Sequence, residues 1–230
     1  MRDKSSIRIA VIGLGAMGMG TARALLDAGF SVTGCDVSPI ALEQFANAGG
    51  KTASTPAEAA HGANVVLLIV VNADQVEQVI FGDHGLVHAV LGDEAVVLQN
   101  ATVPPAFAKA LPERLLAGIE MLDAPISGGA VKARDGALSV MASGPSTAFE
   151  RAETVLDVMA VTVHRLGDHC GPGSSVKLIN QLLAGVHISA AAEAMALGIR
   201  MGLDAEMIYN VITSSAGNSW MFENRMAHVL

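Results

Sequence analysis

The segment from Gly171 to Gln181 combines residue types that a proton-transfer site needs. Lys177 has apolar neighbours, and Asn180 and Gln181 follow it at spacings of three and four positions, so all three project from one side of a helix. An amine that is partly removed from water has a lowered pKa and exchanges protons near neutral pH. The alternative is a structural lysine at a helix start, whose amine reaches solvent along an apolar stem.

A second candidate segment, residues 123–130, reads Asp-Ala-Pro-Ile-Ser-Gly-Gly-Ala and directly follows a strand-like run. Here Ser127, Gly128 and Gly129 would present a hydroxyl group and unobstructed backbone amides, which can converge on a carboxylate. An ordinary tight turn is the alternative interpretation of the same three residues.

A third segment, Gly13-x-Gly15-x-x-Gly18, lies between an apolar run and a helical pattern. In a dinucleotide-binding unit, the first glycine permits a tight turn, the second admits the pyrophosphate, and the third lets the helix pack closely. The anion then lies on free amides at the helix N-terminus. The next apolar run ends at Asp36, about 20 residues downstream, where a carboxylate binds the ribose hydroxyls and repels a 2′-phosphate. We therefore expect NAD rather than NADP, the alternative being that Asp36 only starts a turn.

The elements that must position these segments alternate along the first two thirds of the chain. Strand-like runs cover residues 7–12, 30–35, 65–70, 95–98, 120–123, 138–142 and 161–165. Helical patterns cover residues 21–29, 40–48, 57–60, 74–81, 106–116 and 146–159, and Ser38-Pro39 and Thr55-Pro56 mark two helix starts. This alternation predicts an α/β fold with a Rossmann-type doubly wound parallel sheet.

After Gly167 the strand signals stop, and helical patterns cover residues 173–201, 204–214 and 219–230. We therefore predict an NAD-binding Rossmann-like domain at residues 1–166. A long linking helix and the start of an all-α C-terminal domain follow at residues 167–230.

Charge restricts the class of partner. The 230 residues carry a net charge of −8, and no cluster of lysine and arginine is present, which argues against nucleic acid and acidic membrane surfaces. The long apolar helix contains His187 and Glu193, which favour a buried helix of a soluble protein over a membrane span. The predicted partner is therefore a small molecule.

The cysteines and histidines give no sign of a disulfide framework or a metal. Cys35 and Cys170 form no CxxC pair and suit a reducing cytoplasm, where we expect the protein to act. The pair His84 and His88 has metal-like spacing but lacks the adjacent glutamate of a zinc helix, so no metal is predicted.

The order of the three segments, the last as Gly171-x-Gly173-x-x-x-Lys177-x-x-Asn180, resembles the β-hydroxyacid dehydrogenase family over the whole chain. The resemblance implies an NAD-dependent dehydrogenase acting on CH–OH donors, with a small anionic hydroxy acid as substrate. It implies that Lys177 is the catalytic acid/base. The residues that it implies for the cofactor are Gly13, Leu14, Gly15, Ala16, Met17, Gly18, Asp36, Val71, Asn72 and Thr102.

For the substrate, the resemblance implies that Ser127, Gly128 and Gly129 hold the carboxylate and that Asn180 orients the molecule. Many members have two asparagines where this chain has Asn180-Gln181, which leaves open which amide contacts substrate. Trp220 would close one wall of the substrate cleft, or would fill the core of the helical domain.

Residues 126–133 and 216–226 are most similar to family members that oxidise the 2-hydroxyl of a four-carbon sugar acid. The alternatives are 3-hydroxyisobutyrate or tartronate semialdehyde as substrate, and an NAD-binding module without turnover. Family chains continue for several helices beyond the position of Leu230, so we expect the C-terminal domain to be incomplete here. An apolar long helix in such a domain predicts burial against another copy, in a homo-oligomer.

Overall fold

The alternating pattern folds into a parallel sheet flanked by helices, which confirms the predicted Rossmann-type architecture. The structure, a computed structural model, describes residues 4–115 and 118–230. The strands of this sheet are β1 (Arg8–Ile12), β2 (Ser31–Cys35), β3 (Lys51–Ala53), β4 (Val65–Leu68), β5 (Val96–Gln99) and β6 (Glu120–Asp123). Their order is β3-β2-β1-β4-β5-β6, and all neighbouring pairs are parallel.

Most of the described helices coincide with predicted patterns. The helices are α1 (Ala16–Asp27), α2 (Pro39–Asn47), α3 (Pro56–Ala60), α4 (Ala73–Phe81), α5 (Pro105–Ala110), α6 (Gly129–Arg134), α7 (Ser146–Met159), α8 (Pro172–Arg200), α9 (Ala205–Thr213) and α10 (Trp220–Met226). Of these, α1 begins five residues before the predicted start, and α6 was not predicted. Short 3-10 turns cover Lys4–Ser6, Leu86–His88 and Pro112–Arg114. Ser38 and Thr55 cap α2 and α3, and each accepts a hydrogen bond from the amide three residues on, as the sequence predicts.

Two helices are shorter than predicted, and one of them is α10, which ends at Met226 and not at Leu230. The pattern over residues 106–116 continues as α5 only to Ala110, and a 3-10 turn begins at Pro112. Proline has no N–H to donate and its ring clashes with the preceding turn, which ends a regular helix. Leu116, the end of the predicted helix, lies outside the described residues.

Both faces of the parallel sheet are buried. Successive side chains of a strand point to opposite faces, so Leu67 belongs to one apolar cluster with α1 and α7 residues. Its neighbour Leu68 belongs to a second cluster with residues of α3, α4 and α5. Every residue of β4 is buried, as a continuous apolar run predicts for a strand covered on both faces.

The last strand-like runs form a separate sheet of three strands, β7 (Ile126–Ser127), β8 (Leu138–Ala142) and β9 (Ala160–Arg165). The β7–β8 pair is antiparallel and the β8–β9 pair is parallel. Pro125, which cannot donate to a ladder, separates β6 from β7, and its carbonyl oxygen accepts from Met141 N of β8 at 2.9 Å. The two sheets meet at an isolated bridge between Asp123 and Ser143.

The chain divides into two compact units, the first extending to Lys177 and the second being Leu178–Leu230. In the second unit, α9 and α10 pack on α8 around a small core of Ala191, Met195, Phe222 and Met226. Within the single chain only 17 % of the most apolar part of α8 is buried, so the predicted burial of this helix would need a further protein surface and stays a prediction. The two short helices cover one stretch of α8 and leave its remaining apolar side chains exposed.

By length and composition α8 is long and apolar enough to cross a membrane. Length and composition do not distinguish a membrane span from a helix covered by protein. The absence of a membrane partner therefore stays a prediction.

Candidate functional site

The parallel sheet collects the predicted cofactor residues at one edge. Because all its strands run in one direction, their carboxyl ends share that edge, and the strand order reverses between β1 and β4. Ligands of open α/β sheets bind outside such a reversal. The residues that follow the ends of β1, β2, β4 and β5 are Gly13, Asp36, Val71 with Asn72, and Thr102.

The glycine turn has the geometry that its sequence predicts. Gly13 has φ +96°, and a Cβ there would collide with the carbonyl oxygen of Ile69. A Cβ on Gly18 would collide with the carbonyl oxygen of Gly13, so α1 approaches the turn as closely as a glycine allows. A Cβ on Gly15 would meet no atom within 4 Å, which leaves its backbone open to a pyrophosphate.

The first turn of α1 is prepared for an anion. Its N-cap is Gly15, and in the described part of the chain no side chain caps it, whereas Ser38 and Asn72 cap α2 and α4. Uncapped amides and the positive end of the helix dipole therefore stand beside the open space at Gly15, where Ala16 and Met17 begin the helix. The residues present fit the phosphates of a dinucleotide.

Asp36 is engaged in two backbone hydrogen bonds. Its Oδ2 accepts from Leu14 N at 2.6 Å and its Oδ1 accepts from Ser38 N at 2.8 Å. The carboxylate thus starts a turn, as the simpler interpretation holds, and also ties that turn to the glycine turn. A carboxylate has about four acceptor positions, so these bonds leave capacity for the ribose hydroxyls. The ribose contact stays a prediction.

The remaining cofactor candidates lie on the surface at the same edge. Val71 is 76 % exposed, and the Asn72 side chain accepts the Gln75 amide at 2.9 Å as the cap of α4. Thr102 is exposed just after β5. Their contacts with a cofactor stay predictions.

Lys177 is buried, with 7 % of its surface exposed, and its Nζ donates to the carbonyl oxygen of Ile126 at 2.8 Å. The side chain is therefore largely withdrawn from solvent, whereas the structural alternative requires its amine to extend into solvent. Burial lowers the pKa of Lys177. An amine with a lowered pKa gives up its proton more readily than an ordinary lysine.

The Ser127-Gly128-Gly129 turn begins one residue after the carbonyl group that binds the lysine. Gly128 and Gly129 have φ values of +143° and +80°, which only glycine adopts without strain. Ser127 and Gly128 are half-buried and Gly129 is exposed. The first unit therefore brings the predicted acid/base and the predicted carboxylate-binding turn together.

Sequence reasoning missed the role of Asp123 in this arrangement. The side chain is fully buried and accepts hydrogen bonds from Gly171 N at 2.9 Å, Ser174 N at 2.8 Å and Ser174 Oγ at 2.6 Å. Burial raises the pKa of Asp123, and these bonds act against that shift. An acidic residue ending an apolar strand is the only sequence signal of this contact, and it does not identify the partner.

Two substrate candidates, Asn180 and Trp220, lie in the second unit. Asn180 Nδ2 makes a long hydrogen bond to Gln181 Oε1 at 3.4 Å, so the geometry does not distinguish the two amides. Trp220 is 50 % exposed, whereas Phe222 and Met226 fill the small core. The alternative in which Trp220 fills the core is therefore wrong.

Two family profiles match the chain in sequence. The NAD binding domain of 6-phosphogluconate dehydrogenase matches residues 8–167. The NAD-binding domain of NADP-dependent 3-hydroxyisobutyrate dehydrogenase matches residues 171–230. The first match covers the parallel sheet with its glycine turn, and the second begins at α8.

Individual proteins agree with these matches. An L-threonate dehydrogenase of Cupriavidus necator is 56 % identical over 98 % of this chain and 76 % of its own length. A 3-hydroxyisobutyrate dehydrogenase of Pseudomonas aeruginosa is 37 % identical over 92 % of this chain and 71 % of its own length. A crystal structure of a protein named 3-hydroxyisobutyrate dehydrogenase, from Salmonella typhimurium, is 47 % identical with a TM-score of 0.92, covering 97 % of this chain and 78 % of that one.

These relatives are named as dehydrogenases of hydroxy acids. The site described above agrees with such an activity, since it combines a glycine turn, an uncapped start of α1 and a buried lysine beside a serine-glycine turn. The chain is an oxidoreductase that acts on the CH–OH group of a hydroxy acid with a nicotinamide dinucleotide. It belongs to the NAD-dependent β-hydroxyacid dehydrogenase family.

Proposed function

We propose that this dehydrogenase oxidises the 2-hydroxyl of L-threonate to 2-oxo-tetronate with NAD, and that Lys177 is its acid/base. The observation that carries the proposal is the buried Lys177 Nζ, held 2.8 Å from the Ile126 carbonyl one residue before Ser127. Support for the substrate comes from relatives named L-threonate dehydrogenase, which are 45 % and 56 % identical.

In the direction of oxidation, the neutral amine of Lys177 accepts the proton of the substrate hydroxyl. In the reverse direction, the protonated amine returns a proton to the carbonyl oxygen. The lowered pKa of Lys177 favours the neutral form that accepts a proton, which supports the role of an acid/base. A bound nicotinamide supplies the hydride acceptor or donor.

The Ser127 turn holds the substrate carboxylate in this proposal. The Ser127 hydroxyl and the amides of Gly128 and Gly129 can donate to one anion, because no Cβ obstructs the two glycines. In this proposal Asn180, three residues after Lys177, orients the substrate, and Trp220 is a further substrate-binding candidate. These groups align the hydroxyl with Lys177, and alignment supplies a large part of such a rate enhancement.

Asp36 supports NAD over NADP. Its two backbone hydrogen bonds fix the carboxylate after β2, where a 2′-phosphate of NADP would meet negative charge. We expect a kcat/KM at least about 10-fold higher with NAD than with NADP, corresponding to roughly 1.4 kcal/mol. Initial rates with the two cofactors at equal concentration check this expectation.

The second candidate substrate is 3-hydroxyisobutyrate. It is favoured by the name of the Salmonella typhimurium protein, whose structure matches this chain at 47 % identity and a TM-score of 0.92. The two acids differ in the position of the oxidised hydroxyl relative to the carboxylate. A site that holds the carboxylate at Ser127 therefore presents different carbons to Lys177.

A panel of hydroxy acids separates these candidates. NADH formation would be followed with L-threonate, D-threonate, 3-hydroxyisobutyrate, L-serine and glycerate at equal concentration. We expect the highest kcat/KM with L-threonate and little turnover of D-threonate, the mirror image of the same acid. A higher kcat/KM with 3-hydroxyisobutyrate would contradict L-threonate as the substrate but would not contradict the proposed role of Lys177.

A further inference from the structure

We propose that Asp123 is a positioning residue that fixes Lys177 beside the substrate turn by holding the first turn of α8. The proposal rests on the proposed role of Lys177. Asp123 itself is fully buried, so it acts through the helix.

The carboxylate of Asp123 binds the start of α8 at three donors. Gly171 N and Ser174 N donate to its Oδ2 at 2.9 and 2.8 Å, and Ser174 Oγ donates to its Oδ1 at 2.6 Å. Amides at a helix N-terminus lack partners within the helix, and a carboxylate satisfies them while complementing the helix dipole. Asp123 therefore fixes both the position and the direction of the first turn.

The backbone around Asp123 leaves this turn little freedom. Asp123 and Ser143 exchange two backbone hydrogen bonds, of 2.9 and 2.8 Å, and Ser143 Oγ accepts from Gly173 N at 3.0 Å. A Cβ on Gly173 would collide with the carbonyl oxygens of Met141 and Asp123. The helix start is thus seated directly on the backbone of β6 and β8.

Lys177 lies one turn beyond this seat, and its amine binds the carbonyl group of Ile126. Asp123, Ile126 and Ser127 belong to one short segment of chain. That segment therefore holds α8 at two points, by the Asp123 carboxylate and by the Ile126 carbonyl, and continues into the proposed carboxylate site. This geometry sets the distance between the base and the substrate carboxylate.

Two neighbouring serines provide a matched test. Ser174→Ala removes the hydroxyl that donates to Asp123. Ser175→Ala removes a hydroxyl of the same turn that donates to the Gly171 carbonyl within the helix, at 2.9 Å. Asp123→Asn replaces one accepting oxygen by an amide group of the same size. The three variants separate loss of the Asp123 contact from loss of any serine in this turn.

Two readouts are needed, one of them independent of turnover. The pKa of the Lys177 amine is obtained from the pH dependence of its acetylation, measured by mass spectrometry, because only the neutral amine reacts. The second readout is kcat with L-threonate beside the Kd of NAD. Unfolding curves show whether each variant is folded.

We expect Ser174→Ala and Asp123→Asn to raise the pKa of Lys177 toward the ordinary lysine value, as its burial loosens. We expect kcat to fall about 10-fold or more, with the Kd of NAD changed less than about twofold, since alignment at the reacting atoms is lost. Ser175→Ala should leave all three values unchanged within about twofold. If Asp123→Asn does not fold, the two serine variants decide.

The proposal is overturned if folded Ser174→Ala keeps the wild-type pKa of Lys177 and the wild-type kcat. It is also overturned if Ser175→Ala changes both values as much as Ser174→Ala does, since Asp123 would then have no special part. A raised pKa of Lys177 with unchanged kcat would support the positioning by Asp123 and contradict the catalytic role of Lys177.

Discussion

The amine of Lys177 is the group whose environment bears most directly on the chemistry. It is removed from water and has a backbone carbonyl group as its hydrogen-bond partner. A carbonyl acceptor does not neutralise the charge as a carboxylate would, so burial is the cause that lowers the pKa. This environment supports the proposed role of Lys177 as a base.

The rate of oxidation should consequently rise with pH as Lys177 loses its proton. Because its pKa is lowered, the rise should lie below the ordinary lysine value of about 10.4. The reverse reaction uses the protonated amine, so its rate should fall over the same pH range. Profiles of kcat in both directions test this sign, and profiles that rise together would contradict it.

At this scale the candidate residues were identified from local residue types and spacings. The glycine turn, Lys177 and the serine-glycine turn are each recognised within a few neighbouring residues. Their local conformations in the structure agree with those expected from these short patterns. The contact of Asp123 with Ser174 joins residues 51 positions apart, so local sequence could not predict it. The exposure of Trp220 depends on which side chains fill the second unit, and that also is not local information.

The starts of α1 and α8, both at the carboxyl edge of the parallel sheet, differ in how their first amides are bound. The start of α1 has no side-chain cap in the described part of the chain, which leaves its amides for the cofactor. The start of α8 is held by Asp123 from β6. The amides at the start of α1 are available to a cofactor, and we call this the open start. The start of α8 is bound by Asp123, and we call this the closed start.

Gly15→Ala tests the open start. The new methyl group meets no protein atom within 4 Å and so fits the protein, but it occupies the space by which a pyrophosphate approaches. We expect the Kd of NAD, measured by calorimetry, to rise about 10-fold or more, equal to about 1.4 kcal/mol. Gly185→Ala is the control, since its added Cβ in α8 also meets no atom within 4 Å. Unchanged NAD affinity in Gly15→Ala would show that the pyrophosphate does not bind at Gly15.

Gly173→Ala tests the closed start. Its Cβ would collide with two backbone carbonyl oxygens, which cannot rotate away as a side chain can, so α8 must shift. We expect the free energy of unfolding to fall by about 1–3 kcal/mol, as in other overpacked sites. For Gly185→Ala, in the exposed middle of α8, we expect a gain of about 0.5–1 kcal/mol. Urea denaturation compares the two, and equal stability would contradict the tight seat.

Elements of several turns or of continuous apolar sequence were predictable, and short polar ones were not. The strands β3 and β7 have three and two residues, with polar residues at most positions of β3, so neither produces a periodic signal. Their places are set by pairing with β2 and β8. The end of α5 was predicted too late because the apolar periodicity continues past Pro112. The proline itself indicates the end of the helix.

For the whole molecule, the family is established, but the boundary between the two domains falls at different positions depending on how it is defined. The sequence predicts a boundary at Gly167, the family profiles meet between residues 167 and 171, and the compact units divide after Lys177. These positions differ because α8 begins on the parallel-sheet unit and continues into the helical one. Lys177 is the last residue of the first unit.

Association between copies stays a prediction at this scale. Large apolar side chains of α8, such as Leu178, Leu182 and Val186, are more than half exposed. Contiguous exposed apolar surface favours burial against protein. We therefore expect analytical ultracentrifugation to show a homo-oligomer. A monomer at micromolar concentration would contradict this expectation.

The most direct measurement of the central claim is the initial rate of NADH formation from saturating L-threonate and NAD, compared between wild type and Lys177→Ala. Lys51→Ala, at an exposed lysine of β3, is the matched control. We predict a loss of about 10²–10⁴-fold in kcat for Lys177→Ala, as is typical of one acid/base, with little change in the Kd of NAD. Lys51→Ala should keep the wild-type rate. A folded Lys177→Ala protein that turns over L-threonate at the wild-type rate would contradict the account.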